Sequence, residues 1–214
     1  MSSAPRVIGL AGNTPDPAAL ADAAEVLRRG GLVAFPTETV YGLGADATNP
    51  KALARLNQVK GRPPDKPYSW HVHSMDQVRA LVPSIPPLAE RLMERFWPGP
   101  LTIVIPAGVV PGTAGRPGGR GEMLGFRWPD HPIAQAFLKA CAVPVAAPSA
   151  NRSGHPPPTD AREVLEALNG DLDCILDGGP TRLGRESTVV EVIKGRLEIR
   201  REGAIAKEAI LAVV

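Results

Sequence analysis

The sequence predicts an α/β fold, a mixed sheet flanked by helices, and three observations predict it. Short apolar runs of the kind buried in a sheet recur along the chain, each bounded by glycine or proline. Segments with helical period and recognisable caps stand between them. The 214 residues suffice for one domain with a substantial core, so a single domain over 1–214 is the expectation. Interleaved strands and helices leave α/β and α+β both open, because periodicity does not give strand pairing.

In chain order, residues 7–10 read as a short strand, and Asp16 with Pro17 as the cap and first turn of a helix that runs to Arg29 and stops at Gly30 and Gly31. The run 32–35 is a buried strand ended by Pro36, and the polar, glycine-containing stretch TETVYGLGAD after it reads as a loop leaving a strand end. Asn49 and Pro50 open a helix whose Leu53, Leu56 and Val59 share one face; Gly61 closes it, which puts Lys60 at a helix C-terminus. Further strand-like runs lie at 70–72, 101–105, 124–128, 143–147, 174–176, 188–193 and 197–200, with the clearest helices at 88–96, 133–140 and 161–168. The glycine-rich segment 108–121 has no apolar period and reads as a mobile loop, either a lid or an exposed hairpin tip.

Composition narrows the function classes. With 43% hydrophobic and 21% charged residues the chain is neither disordered nor membrane-like, while 24 prolines and 22 glycines announce many fixed turns. A formal charge of +2 is too small to mark a nucleic-acid binder by itself. Cys141 and Cys174 stand far apart without metal spacing and read as small buried hydrophobes. The N-terminal apolar run is too short for a signal peptide and nothing approaches a bilayer span, so a cytoplasmic protein with no membrane partner is expected.

Four segments join loop-forming residues to reactive or hydrogen-bonding side chains: PTETVYGLG (36–44), KGRP (60–63), PSANRSG (148–154) and GRESTVVEV (184–192). Alone, KGRP reads first as an exposed helix end whose cations complement the dipole. PSAN follows a buried run, where open α/β sheets place ligands and where an ordinary turn looks the same. Phosphate-loop, dinucleotide, nucleophile-elbow and zinc-protease motifs are all missing, and the four histidines have no metal spacing. Such a chain, if an enzyme, works by positioning and charge neutralisation, and Lys60 and Arg62 with Ser149 and Asn151 suit a polyphosphate.

Taken in order, GLVAFPTETVYGLGADA, KGRPPDKPYSWHV, GFRWPDHP, APSANRSGHPPPT, GRESTVVEV and IRREGAI resemble the successive motifs of the YrdC-like family over roughly residues 18–205. The family's KxR and SxN tetrad is present as Lys60, Arg62, Ser149 and Asn151. The resemblance implies a twisted α/β sheet with a large basic concave cavity. It also implies the activity of a nucleotidyltransferase of the single-domain type: L-threonine reacts with bicarbonate, and the carbamate attacks the α-phosphate of ATP, releasing pyrophosphate and threonylcarbamoyl-AMP. That product feeds downstream tRNA threonylcarbamoyl-transferase proteins that make threonylcarbamoyl-adenosine. By the same resemblance, Thr37, His71, Arg127, Ala147 and Ser187 form the threonine pocket. Lys60, Arg62, Ser149, Asn151 and Arg201 surround the nucleotide, and Mg2+ comes with the ATP phosphates rather than through protein ligands.

The chain departs from the family pattern at 66–70, where KPYSW precedes His71, and at Pro157, where many relatives have a serine. Two other readings keep the fold. One is an RNA-binding or ribosome-maturation module, with weak double-stranded RNA binding through phosphodiester contacts. The other is a carbamoyl-transfer paralogue that uses carbamoyl phosphate. The intact tetrad argues against the first, and the absence of zinc-finger segments against the second. Lys60 and Arg62 at an exposed helix end are expected to tolerate alanine without loss of stability.

Overall fold

The computed structural model of the chain describes residues 4–10, 15–62, 68–107, 123–168 and 170–214. The glycine-rich segment 108–121 and residues 66–67 lie outside the described residues. Ten strands form one mixed sheet in the order β1-β8-β2-β3-β7-β4-β6-β5-β9-β10. They are β1 (Arg6–Gly9), β2 (Val33–Phe35), β3 (Gly42–Asp46), β4 (Trp70–His71), β5 (Leu101–Pro106), β6 (Met123–Arg127), β7 (Val145–Ala146), β8 (Cys174–Asp177), β9 (Thr188–Ile193) and β10 (Arg196–Arg201). The helices are α1 (Pro17–Arg28), α2 (Pro50–Lys60), α3 (Met75–Leu81), α4 (Pro87–Phe96), α5 (Pro132–Cys141), α6 (Ala161–Leu168) and α7 (Lys207–Leu211).

The helix starts follow from their caps. Asp16 accepts from the Ala18 amide at 2.9 Å, Asn49 from the Lys51 and Ala52 amides at 3.0 and 3.3 Å, and Ser74 from the Gln77 amide at 3.2 Å. The proline after each of the first two caps supplies a preset φ and loses no helical hydrogen bond. Gly61 ends α2 in the left-handed region at φ +59°, and the Arg62 amide then donates to the Asn57 carbonyl at 3.1 Å. This turn separates Lys60 from Arg62 and sends both toward the same side of the sheet. The short helix α3 was not evident from periodicity, because only Val78 of its seven residues is buried.

The stretch read as a loop after β2 contains β3, which pairs antiparallel with β2 from Val33 opposite Gly44 to Phe35 opposite Gly42. The physical reason is the Phe35 ring. A β-carbon on Gly42 or Gly44 would stand 3.2 Å from it, so this strand carries glycine where a strand normally shows its apolar residues. β7 is shorter than the apolar run that predicted it, covering Val145–Ala146 alone.

Alternation along the strands sorts the side chains onto two faces. Trp70, Phe126, Ile103, Val190 and Val192 point to one face, where α2, α4 and α6 cover them with Leu53, Leu56, Leu92, Met93, Val164 and Leu168. On the opposite face α1 and α5 pack together and cover the β8-β2 end, burying Leu27, Phe137, Leu138, Val33, Phe35 and Leu176. From β4 to β9 the second face keeps its floor open and lines a cavity with Thr102, Val104, Gly125, Arg127 and Val189. Cys141 and Cys174 are free and buried, as small apolar groups would be. No described helix is long and apolar enough to cross a membrane.

The wall at the β9-β10 end depends on Gly203. A β-carbon there would press into the carbonyl oxygens of Glu186 and Ser187, and the Gly203 amide donates to Thr188 Oγ1 at 2.9 Å. Gly203→Ala is expected to cost about 1–3 kcal/mol by overpacking, a fall in Tm of about 2–4 °C for each kcal/mol in a chain of this size. Thermal melting checks this, and an unshifted Tm sinks it.

Candidate functional site

The open half of the sheet, the end of α2 and the turn after β7 enclose a cavity of about 710 Å3, large enough for a drug-sized ligand. Among the described residues four lysine or arginine side chains line it, Lys60, Arg62, Arg127 and Arg201, against two glutamates, Glu186 and Glu191.

At one end, Lys60 is only 4% exposed. Its ammonium donates to the Ser149 carbonyl at 2.5 Å and to Asn151 Oδ1 at 3.1 Å. Asn151 is held in turn, its amide donating to the carbonyls of His155 at 2.6 Å and Arg152 at 3.0 Å. The 148–153 turn is tied down on both sides. Gly42 bridges to Ser149, the Leu43 amide donates to Pro148, the Ala150 amide to Tyr41, and the Ser153 amide to the Lys60 carbonyl. Arg152 adds an ion pair to Asp171 and a 3.4 Å bond to the Val59 carbonyl. Burial pushes the Lys60 ammonium down from 10.5 to about 8, the Arg62 charge pushes it the same way, and Glu186 opposes them. Arg62 lies over the Tyr68 ring at 4.8 Å.

The expectation that Lys60 sits at an exposed helix end is therefore corrected. Lys60 stands one turn after Leu56 on the buried face of α2, so the last helical side chain enters the cavity wall. The ammonium is a structural donor as well as a charge.

In the middle of the floor, β4 and β6 run parallel with His71 opposite Arg127. Arg127 is 5% exposed and lies between three residues of the 36–41 segment. Its Nη2 donates to Thr39 Oγ1 at 2.7 Å and to Thr37 Oγ1 at 3.4 Å, and it stands 3.0 Å from Glu38 Oε1. That last contact is an ion pair without hydrogen-bond alignment, since neither Glu38 oxygen has a hydrogen-bond partner. Thr37 spends its own proton on the Val40 carbonyl at 2.7 Å while accepting from the Thr39 and Val40 amides. Thr37 is not among the side chains that line the cavity, so it reaches the site only through Arg127. Burial, with the Arg127 charge beside it, lowers the His71 imidazole to about 3, so it is neutral at physiological pH. Its Nδ1 is buried without a partner.

At the far end, Arg201 pairs with Glu186 at 2.8 Å and donates from Nε to the Ser187 carbonyl at 3.1 Å and from Nη2 to Ser187 Oγ at 3.3 Å. Ser187 Oγ and Thr102 Oγ1 are 2.8 Å apart.

Of the residues singled out in the sequence, Lys60, Arg62, His71, Arg127, Ala147, Ser149, Asn151, Ser187 and Arg201 all face one cavity. Sequence reasoning missed Glu38, Thr39 and Thr102. The first two stand inside the PTET segment next to a residue it did name. The third is a lone polar residue in the apolar run 101–105, the one signal that it faces away from the core.

The Sua5/YciO/YrdC family model, described as telomere recombination, matches residues 25–203. A threonylcarbamoyl-AMP synthase of Pyrococcus abyssi is 46% identical over 90% of this chain and 56% of its own length. One from Bacillus subtilis is 45% identical over 94% of this chain and 58% of its own length. The chain thus spans somewhat more than half the length of these relatives. The crystal structure of P. abyssi Sua5 complexed with L-threonine superposes with a TM-score of 0.89 at 42% identity, covering 97% of this chain and 60% of that one. With the motifs in order and the sheet and cavity in place, the chain belongs to the Sua5/YciO/YrdC family.

Proposed function

We propose that the chain is an L-threonylcarbamoyladenylate synthase, a nucleotidyltransferase that joins L-threonine, bicarbonate and ATP. The amine of threonine bonds to the carbon of bicarbonate with loss of water. An oxygen of the resulting carbamate bonds to the α-phosphorus as the bond to pyrophosphate breaks. The product serves tRNA threonylcarbamoyl-adenosine formation through downstream transferase proteins.

The observation that carries this reading is the convergence of two unlike subsites in one cavity. Lys60, Arg62, Ser149 and Asn151 make a cationic end suited to a triphosphate, with Arg201 at the opposite wall. His71 and Arg127, with Ala147 and Ser187, make a compact polar pocket for an amino acid, Arg127 for the carboxylate and the neutral imidazole for a donor group. Thr37 serves this pocket by holding Arg127. Mg2+ would arrive on the nucleotide's own phosphates. Relatives that bear the synthase name over most of this chain support the same reading.

Pyrophosphate release from ATP tests it directly. Release is expected only when threonine and bicarbonate are both present, and much less with serine or glycine. ATP breakdown independent of the amino acid, or salt-sensitive RNA binding without turnover, sinks the synthase.

Two variants test the roles. Lys60→Ala removes a charge from the phosphate subsite and is expected to lower turnover by about two orders of magnitude or more. It also leaves the Ser149 carbonyl and Asn151 Oδ1 without their donor, about 1–3 kcal/mol of stability. The lowered Lys60 pKa has a second consequence, because the free enzyme loses this charge as pH rises through about 8. The basic limb of kcat/KM is expected there, and Lys60→Arg is expected to move it upward. The sign for stability is the reverse. Between about 8 and 10.5 the unfolded chain holds the proton that the folded chain has lost, so this group's contribution to folding improves with rising pH in that window.

Arg127→Ala is expected to abolish threonine binding in calorimetry, and to destabilise the fold by about 3–5 kcal/mol because Glu38 stays buried without its partner. Pairing Arg127→Met with Glu38→Gln removes both charges. That double variant is expected to recover most of the Tm and none of the threonine affinity. Recovery of both would take Arg127 out of the pocket.

A further inference from the structure

The hydroxyls of Thr102 and Ser187 share one hydrogen bond of 2.8 Å at the cavity floor, and either is able to donate. Two hydroxyls carry two protons, and a single mutual bond uses one. Among the described residues neither oxygen has another acceptor within reach, while Arg201 Nη2, which only donates, already occupies a lone pair of Ser187 Oγ at 3.3 Å. In the arrangement that fills every lone pair of Ser187, Thr102 donates to it and the Ser187 proton is left over; in the other, the Thr102 proton is left over. In both cases one O–H lacks an acceptor among the described residues, and both side chains line the cavity. The two residues are 3% and 5% exposed, so a ligand that fills the cavity would take over that proton from water.

The surroundings give that proton a direction. Continuing the β5/β6 register by one residue sets Thr102 across from Arg127 on the same face. Beside it Gly125 has no room for a side chain, since a β-carbon there would lie 2.9 Å from Ser69 Oγ and 3.5 Å from Thr102 Cγ2. A cavity floor with a spare hydroxyl proton between two guanidinium groups suits an oxygen that bears negative charge.

We propose that Thr102 is a further substrate-binding residue, which with Ser187 presents one hydroxyl proton to an anionic oxygen of the bound substrate, the amino-acid carboxylate or a nucleotide phosphate. The inference rests on the synthase reading and extends it to a strand that no motif marked. Thr102→Val keeps the shape and removes the hydroxyl; Thr102→Ser keeps the hydroxyl and removes the methyl group.

Calorimetric titrations of the full chain with L-threonine, and separately with α,β-methylene-ATP, decide it. Thr102→Val is expected to bind one of the two roughly tenfold or more weakly, with an unchanged Tm, and Thr102→Ser to stay close to wild type. Loss confined to threonine identifies the carboxylate, and loss confined to the nucleotide analogue identifies a phosphate. Unchanged affinity for both in Thr102→Val overturns the inference and leaves the synthase intact, as does equal loss in the valine and serine variants, which would make the methyl group the contact. A wild-type chain that binds neither ligand overturns both readings. If Thr102→Val melts early, Thr102→Ala, which also lacks the hydroxyl, takes its place in the same titrations.

Discussion

Everything in this molecule follows from covering only half of one face of a mixed sheet. A strand sends alternate side chains to opposite sides, so β4, β6, β5 and β9 must bury one set under α2, α4 and α6 and find some use for the other. Burying a large apolar side chain is worth about 1.5–3 kcal/mol, and α1 with α5 obtains this only at the β8-β2 end. Beyond that end the second set mixes polar and charged side chains with a few apolar ones such as Val104 and Val189. Ser69, His71, Thr102, Arg127 and Glu191 line a cavity where a third layer of helices would otherwise sit. The site is the polar remainder of sheet geometry, held rigid because its backbones are those of the core.

Rigidity matters because the charges are placed before any ligand arrives. Among the described residues Lys60 has no carboxylate in hydrogen-bond contact, and Glu186 offsets its burial only in part. Its bonds go to a backbone carbonyl and an amide oxygen, and Asn151 is fixed by two further carbonyls. An ammonium held this way in a poorly hydrated wall interacts with a phosphate more strongly than one in water and needs little reorganisation when the phosphate comes. The cost appears as a proton held less tightly than usual, to about 8. The same turn that places Asn151 also closes the seam between α2 and the sheet, through Ser153 on the Lys60 carbonyl and Arg152 on Asp171. Fold and site therefore share their hydrogen bonds at this corner.

Much of this was legible in the sequence, and the parts that were not have physical causes. Asp16-Pro17 and Asn49-Pro50 announced their helices because capping is local, and the buried runs at β2, β5 and β9 announced strands because burial is periodic. β3 was hidden because its pattern belongs to Phe35: glycine at 42 and 44 makes room for a ring from the neighbouring strand, which looks like a turn when read alone. Lys60 read as a surface cation because its burial depends on a turn 89 residues later in the chain. Glu38 and Thr102 were missed for a related reason. One gains its meaning from Arg127, set across the sheet from the 36–41 segment by the order β3-β7-β4-β6, and the other from Ser187, set beside it by the β5-β9 pairing.

The distribution of charge within the cavity is as informative as its sum. Arg127 is balanced by Glu38 at 3.0 Å and Arg201 by Glu186 at 2.8 Å, while His71 is neutral. Lys60, in contrast, bonds among the described residues to neutral oxygens. The floor is thus nearly neutral toward β6 and β9 and positive toward the end of α2, a gradient built into one enclosed space. A polyanion gains most at the positive end, where Lys60 is held, among the described residues, by neutral oxygens. A small molecule that carries one carboxylate and one neutral or cationic nitrogen gains most at the balanced end, where directional donors are present without a large excess of positive charge. Two ligands of different charge would therefore be sorted into adjacent positions by electrostatics, before shape or any specific contact selects between them. A cavity uniformly lined with unpaired cations would draw the polyanion over the whole floor and leave the second ligand no place of its own.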